Sequence, residues 1–159
     1  MCFWIAIFLA ASSICVGANV PSAFDGGWQL IESKNFDAYM KELGIGILAR
    51  TAIENVNPSL AVSVAGNTWK LYYTSFYKNY WIEFELNKEV EHETFDGRWM
   101  KSIFSFINGK LIQKESPISH KDKSSKIVRY VDGDRLIVLL KCGTVEAKRV
   151  YQRTYAILD

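Results

Sequence analysis

The strongest constraint on the fold is a run of short strand patterns that fills residues 59–154. Nine segments in this region are rich in β-branched and aromatic residues, which favour strands. Tight-turn signals such as Asn108-Gly109 and Asp132-Gly133 separate many of these segments. One further strand pattern, GGWQLIES, comes before them, which brings the total to about ten. The sequence therefore predicts an all-β fold, a ten-stranded antiparallel up-and-down barrel.

A helical pattern interrupts the strands after the first of them, in residues 35–58. Apolar side chains recur there at three- and four-residue spacing at Phe36, Tyr39, Met40 and Leu43. Glycines then break the pattern, which resumes and ends at Pro58. We expect two short helices joined by a tight glycine turn, with Asn35 as a candidate cap of the first. Because a barrel of this size encloses more volume than its side chains fill, the helix pair is expected to cover an internal cavity as a lid.

The last strand carries a charge on its more apolar face. Val145, Ala147, Arg149 and Tyr151 share that face, yet an arginine is rarely buried without a partner. Arg129 lies on a similar apolar face in an earlier strand. Two interpretations stay open for Arg149. It could form a structural ion pair with an acidic core residue such as Asp96, or its planar guanidinium could receive the carboxylate of a ligand.

Composition and motifs narrow the function classes. The formal net charge is +2 and the basic residues are scattered, which argues against nucleic-acid binding. The two histidines, His92 and His120, belong to no His/Cys cluster, so neither a metal site nor a cofactor is expected. The sequence lacks the nucleophile-elbow, phosphate-loop and metalloprotease motifs. We therefore expect a binding protein with no catalytic residue.

The first 18 residues differ from the rest of the chain. They carry no charge and end in small residues, as a secretory signal peptide does, although the usual basic n-region is missing. An uncleaved anchor and an upstream translation artefact are the alternatives. We expect residues 1–18 to be a signal peptide and residues 19–159 to be one secreted domain. Cys142 would then be the sole cysteine of the mature chain, a buried thiol without a disulfide.

A multi-part signature links this chain to a known family. Gly26-x-Trp28-x-Leu30 is followed by NFDAYM and Leu43, then by GIGILAR, FDGRWMKSI, KIVRYVDGDRLIV and AKRVY. Together these segments resemble the intracellular lipid-binding proteins, the fatty-acid-binding and retinoid-binding family, over essentially all of residues 23–154. The resemblance implies a calycin-like barrel with a helix-turn-helix lid. It also implies that the ligand is a long-chain fatty acid, carried by a monomer.

The resemblance also implies roles for individual residues. Arg129, Arg149 and Tyr151 would hold the ligand carboxylate. Phe36 and Tyr39 would line the portal side of the lid, near Tyr77 in a neighbouring hairpin turn. Asp96 completes the set of candidate ligand-binding residues, and basic residues near the helices would allow transient membrane contact.

Three features depart from the family pattern: the signal segment, a longer loop at residues 116–125, and His92, which falls where many relatives have an inward acidic residue. Because most members of the family are cytosolic, a cytoplasmic protein is the alternative to a secreted one. Alternatives with the same fold are a retinoic-acid carrier, whose ligand carboxylate would use the same arginine and tyrosine, and a membrane-associated structural protein. A true lipocalin usually has disulfides and a helix after its strands, which this chain does not match.

Overall fold

The computed structural model describes residues 20–75 and 78–154. The predicted signal peptide, Tyr77 and the C-terminal residues 155–159 lie outside the described residues. A short 3-10 helix, Pro21–Phe24, precedes the sheet. The described residues form ten strands: β1 Gly26–Lys34, β2 Ser59–Ala65, β3 Thr68–Thr74, β4 Tyr80–Glu85, β5 Glu89–Glu93, β6 Trp99–Ile107, β7 Lys110–Pro117, β8 Ser125–Asp132, β9 Arg135–Cys142 and β10 Val145–Thr154.

All ten strands belong to one antiparallel sheet, in the order β4-β3-β2-β1-β10-β9-β8-β7-β6-β5. Each strand therefore pairs with its neighbour in sequence, except that β1 pairs with β10 and no ladder joins β4 to β5. Pairing of the first strand with the last curls the meander into a nearly closed barrel. The predicted fold class and strand number are confirmed.

Two helices connect β1 to β2: α1, Phe36–Glu42, and α2, Ile47–Glu54. Gly44 lies between them at φ 89°, a left-handed conformation that glycine adopts without strain. Asn35 occupies the N-cap position of α1, as predicted, but its side chain makes no capping hydrogen bond. The side chain donates instead to the carbonyl of Glu146 at 2.7 Å, which fastens the lid to β10. No helix among the described residues is long and apolar enough to cross a membrane.

Aromatic side chains fill the end of the barrel opposite the lid. The end of β1, to which the lid is attached, lies far from the β2–β3 and β6–β7 turns, where this cluster sits. Trp69 packs edge-on against Phe24 at 5.3 Å between ring centroids, and Phe84 stacks on Phe104 at 3.5 Å. These rings are almost completely buried. They fill this end of the barrel, here called the aromatic floor, and the cavity lined by both helices lies on the side of the lid.

Cys142, at the end of β9, is a free thiol buried within the described core. Its burial raises the pKa of the thiol, which keeps it protonated. The prediction of a buried cysteine is confirmed.

Truncation of the aromatic floor should destabilise the fold strongly. Phe104 is fully buried against Phe84, so Phe104→Ala should lower the free energy of unfolding by about 3–5 kcal/mol. Ile107, three residues further along β6 and 53% exposed, gives the control, since Ile107→Ala should cost less than about 1 kcal/mol. Urea unfolding of both variants measures the difference. Equal costs for the two variants would contradict this account of the floor.

Candidate functional site

A cavity of about 180 Å³ lies between the lid and the aromatic floor. Its walls come from both helices and from the inward faces of strands on both sides of the barrel. Six of the seven predicted site residues line it together: Phe36, Tyr39, Asp96, Arg129, Arg149 and Tyr151. The seventh, Tyr77, lies outside the described residues. The alternation of strand residues predicted the inward face correctly for the three that lie in strands, Arg129, Arg149 and Tyr151.

Arg149 and Tyr151 enter the cavity from β10, two residues apart on one face. Tyr151 is 2% exposed, and burial raises the pKa of its hydroxyl to about 12, against the opposing influence of Arg149. The hydroxyl therefore stays protonated and can donate a hydrogen bond. The Arg149 guanidinium lies 4.3 Å from the centroid of the Phe36 ring and 5.8 Å from that of Tyr151. Its buried Nε has no hydrogen-bond partner among residues 20–75 and 78–154.

Arg129, on β8, is 5% exposed and faces neutral groups. Its Nη1 donates to Oε1 of Gln113 at 2.9 Å, and its Nη2 to the hydroxyl of Tyr73 at 3.4 Å. The Nε is buried without a partner in the described part of the chain. Such bonds satisfy part of the donor fork but leave the positive charge without a negative partner.

Asp96 lines the cavity but does not pair with Arg149. Its carboxylate accepts hydrogen bonds from Nε of Arg98 at 2.6 Å and from the hydroxyl of Thr94 at 2.6 Å. The interpretation of Arg149 as the ion-pair partner of Asp96 was therefore wrong. Asp96 forms its ion pair with Arg98, two residues further along the chain. Within the described residues, neither Arg129 nor Arg149 forms an ion pair.

A chain of buried polar side chains crosses the cavity wall from β7 to β5. Gln113 Nε2 donates to Glu115 at 2.8 Å and to Ser102 at 3.3 Å, and Glu115 also accepts from the hydroxyl of Ser125. The Oγ of Ser102 is in turn hydrogen-bonded to Nε2 of His92 at 2.8 Å. Sequence reasoning singled out only His92 in this network. The signal for Gln113 and Glu115 was present in KLIQKES, where both residues share one strand face with the apolar Leu111.

His92 occupies the gap that the backbone ladders leave between β4 and β5. Its Nδ1 is hydrogen-bonded to the Tyr80 hydroxyl at 3.0 Å, across that gap. Burial lowers the pKa of His92 below its usual value, the nearby Glu115 opposes that shift, and Arg129 adds to it. The imidazole is therefore neutral at physiological pH.

The lid supplies the remaining wall. Tyr39 is almost completely buried, and burial raises the pKa of its hydroxyl well above the usual value. Phe36 stacks on Tyr39 at 6.0 Å between centroids. The Phe36 ring also packs against the Arg149 guanidinium. The same two residues were predicted to face the cavity from the lid, and both line it. The described residues hold no group of three or more His, Cys, Asp or Glu placed to bind a metal ion.

Comparison with known proteins agrees with this geometry. Residues 25–154 match the Lipocalin / cytosolic fatty-acid binding protein family. The chain belongs to this family. Fatty acid-binding protein homolog 6 of Caenorhabditis elegans is 42% identical over 130 residues, which are 82% of this chain and 96% of the relative. Homolog 5 of the same nematode is 39% identical over 130 residues, again 82% of this chain and 96% of the relative.

Solved structures of the family show the same architecture. Apo lipid binding protein 8 of Caenorhabditis elegans superposes with a TM-score of 0.83 at 28% identity, over 87% of this chain and all of the other. The Schistosoma mansoni fatty acid binding protein, solved in complex with arachidonic acid, gives a TM-score of 0.79 at 34% identity, over 87% of this chain and 99% of the other. The family membership implied by the signature is confirmed.

The histidine at the gap should make stability depend on pH. The folded state holds His92 with a lowered pKa, so the unfolded chain binds more protons as the pH falls below about 6.5. Stability should therefore decrease on acidification through this window, and His92→Gln should reduce the slope of unfolding free energy against pH by up to about one proton. Chemical unfolding between pH 5 and pH 8 measures the slope.

His120 gives the matched control, because it lies exposed in the loop between β7 and β8. His120→Gln should leave the slope unchanged. A wild-type slope that survives His92→Gln would assign the pH dependence to other groups.

Proposed function

We propose that this protein binds long-chain fatty acids in its internal cavity and carries them as a non-enzymatic transport protein. The observation that supports this most directly is the pair of inward guanidiniums, Arg129 and Arg149, which have no carboxylate partner among the described residues. Tyr151 adds a protonated hydroxyl beside Arg149. A ligand carboxylate would supply the missing negative charge and accept from all three groups.

The division of labour between head and tail follows from typical magnitudes. A hydrogen bond to a charged group contributes about 1.5–3 kcal/mol net. Burial of a methylene contributes about 0.8 kcal/mol, so a chain of about 15 methylenes gives an upper bound near 12 kcal/mol before ordering costs. The tail thus supplies most of the affinity, and the carboxylate fixes orientation. Discrimination between neighbouring chain lengths should accordingly be weak.

The names of the relatives support the ligand class. Two nematode relatives at 42% and 39% identity are fatty acid-binding protein homologs, and the Schistosoma mansoni relative was solved with arachidonic acid. The inward Arg129, Arg149 and Tyr151 would let this chain bind the same acidic head group. No feature of the described cavity favours a retinoid over a fatty acid.

We further propose that the protein is secreted as a monomer after removal of residues 1–18. The uncharged apolar start and the small residues at its end support this, whereas the family name, which refers to cytosolic proteins, keeps a cytoplasmic location as the alternative.

The carboxylate anchor can be tested with one substitution. We expect wild-type protein to bind a long-chain fatty acid at least about ten-fold more tightly than its methyl ester, because the ester carries no charge for the guanidinium. Arg149→Gln should weaken binding of the fatty acid and remove the difference in affinity between acid and ester. Fluorescent-probe displacement by each ligand measures both affinities.

Arg135 provides the matched control, because it is exposed at the start of β9 and away from the cavity. Arg135→Gln should preserve the preference for the acid. Equal affinity for acid and ester in the wild type would refute the anchor role of Arg149.

Secretion can be tested by expressing the full chain in a eukaryotic cell and measuring the intact mass of the product by mass spectrometry. We expect the protein in the medium at the intact mass of residues 19–159, because a signal peptidase cuts after small residues. Retention of the full-length mass inside the cell would favour the cytoplasmic alternative.

A further inference from the structure

A second concavity, here called the outer cleft, lies where β1 meets the lid. Its volume is about 560 Å³. Small-molecule sites typically occupy about 300–1,000 Å³, so the outer cleft is large enough for a polar head group. Its polar lining residues are Ser33, Asn35, Asp37, Glu54 and Asn55. None of these residues lines the internal cavity.

Three residues separate the outer cleft from the internal cavity, because each lines both: Phe36, Ile53 and Arg149. The central contact of this partition is the stacking of the Arg149 guanidinium on the Phe36 ring, at 4.3 Å. All three side chains are only half-buried. A change of rotamer at Phe36 would therefore join the two spaces at Arg149.

A β-bulge in β1 prepares this opening. Leu30 lies opposite Tyr151 and Ser33 opposite Arg149, although residues three apart in a regular strand face opposite sides. The register of the ladder shifts between Leu30 and Glu32, so that Leu30 is buried whereas Ser33 is exposed and lines the outer cleft. Arg149 is consequently flanked on β1 by a small hydroxyl, which leaves room beside the guanidinium.

The outer cleft is lined by charges of both signs. At its inner end lies Arg149, a cation with no ion pair in the described part of the chain. Its rim carries two carboxylates, of which Asp37 accepts a hydrogen bond from Arg50 at 2.6 Å. Glu54, at the end of α2, is exposed and forms no ion pair among the described residues. A matching ligand would have its anion next to the acyl chain and a cation beyond it.

We propose that the outer cleft binds the head group of a zwitterionic single-chain lysophospholipid whose tail occupies the internal cavity. The phosphate would lie at Arg149, because a guanidinium donates hydrogen bonds to phosphate as readily as to carboxylate. The terminal ammonium would lie at Glu54. A fatty acid would use the cavity and Arg149 alone. This inference rests on the proposed function, because it places a second ligand class on the same cavity and the same arginine.

The test compares three ligands of one acyl chain below their micellar concentrations: the fatty acid, lysophosphatidylethanolamine and lysophosphatidic acid. Each displaces a fluorescent fatty-acid probe from wild type and from Glu54→Gln. Loss of one exposed ion pair should weaken the binding of lysophosphatidylethanolamine to Glu54→Gln about two- to five-fold. Lysophosphatidic acid lacks the ammonium, so its affinity should stay equal or rise, and the fatty acid should not change.

Asp132→Asn gives the charge-matched control, because Asp132 is exposed at the end of β8 and lies outside both spaces. This variant should leave all three affinities unchanged. An equal loss for all three ligands in Glu54→Gln would overturn the outer cleft as a head-group site, as would the absence of any loss.

The two proposals fail in different ways. If the fatty acid displaces the probe and lysophosphatidylethanolamine does not, the outer cleft proposal is wrong and the proposed function stands. If no fatty acid displaces the probe, the proposed function itself is wrong.

Discussion

The structure depends on the positive charge held inside a nearly closed barrel. The barrel satisfies its backbone through ladders around the wall, so the inward side chains alone determine what the interior accepts. Two of those side chains are arginines. Arg129 donates hydrogen bonds to Gln113 and Tyr73. The Arg149 guanidinium packs against the Phe36 ring, and its Nε has no hydrogen-bond partner among the described residues. A buried charge without an opposite charge is costly, so a bound anion would stabilise the folded state.

That constraint also explains the role of the lid. Phe36 belongs to α1, covers Arg149 and separates the cavity from the outer cleft. Asn35 fastens the start of the same helix to the Glu146 carbonyl on β10. Because one ring both shields the cation and closes the space, the position of the lid and the exposure of Arg149 are coupled. A head group that reaches Arg149 must displace the ring or pass beside it.

The sequence predicted which residues face inward but not which of them bond to each other. Alternation assigns Arg149 and Tyr151 to one face, and that was correct. Alternation describes strands and not the turn that holds Asp96, so the ion pair between Asp96 and Arg98 was missed. The bulge at Ile31 was missed because a single extra residue leaves no trace in the apolar pattern. The polar network on β7 was visible in KLIQKES but needed the register with β6 to be recognised.

The gap between β4 and β5 shows why such an interior can vary without loss of the fold. No ladder joins these strands among the described residues, and side chains cross the gap instead, with Tyr80 bonded to His92 and Lys78 near Glu93 at 3.9 Å. Side-chain bonds can be exchanged one residue at a time, whereas a ladder depends on the whole strand. The aromatic floor and the β1–β10 ladder therefore maintain the barrel. The wall near the gap therefore depends on individual side-chain bonds, so a single substitution there can change its polarity while the ladders stay intact.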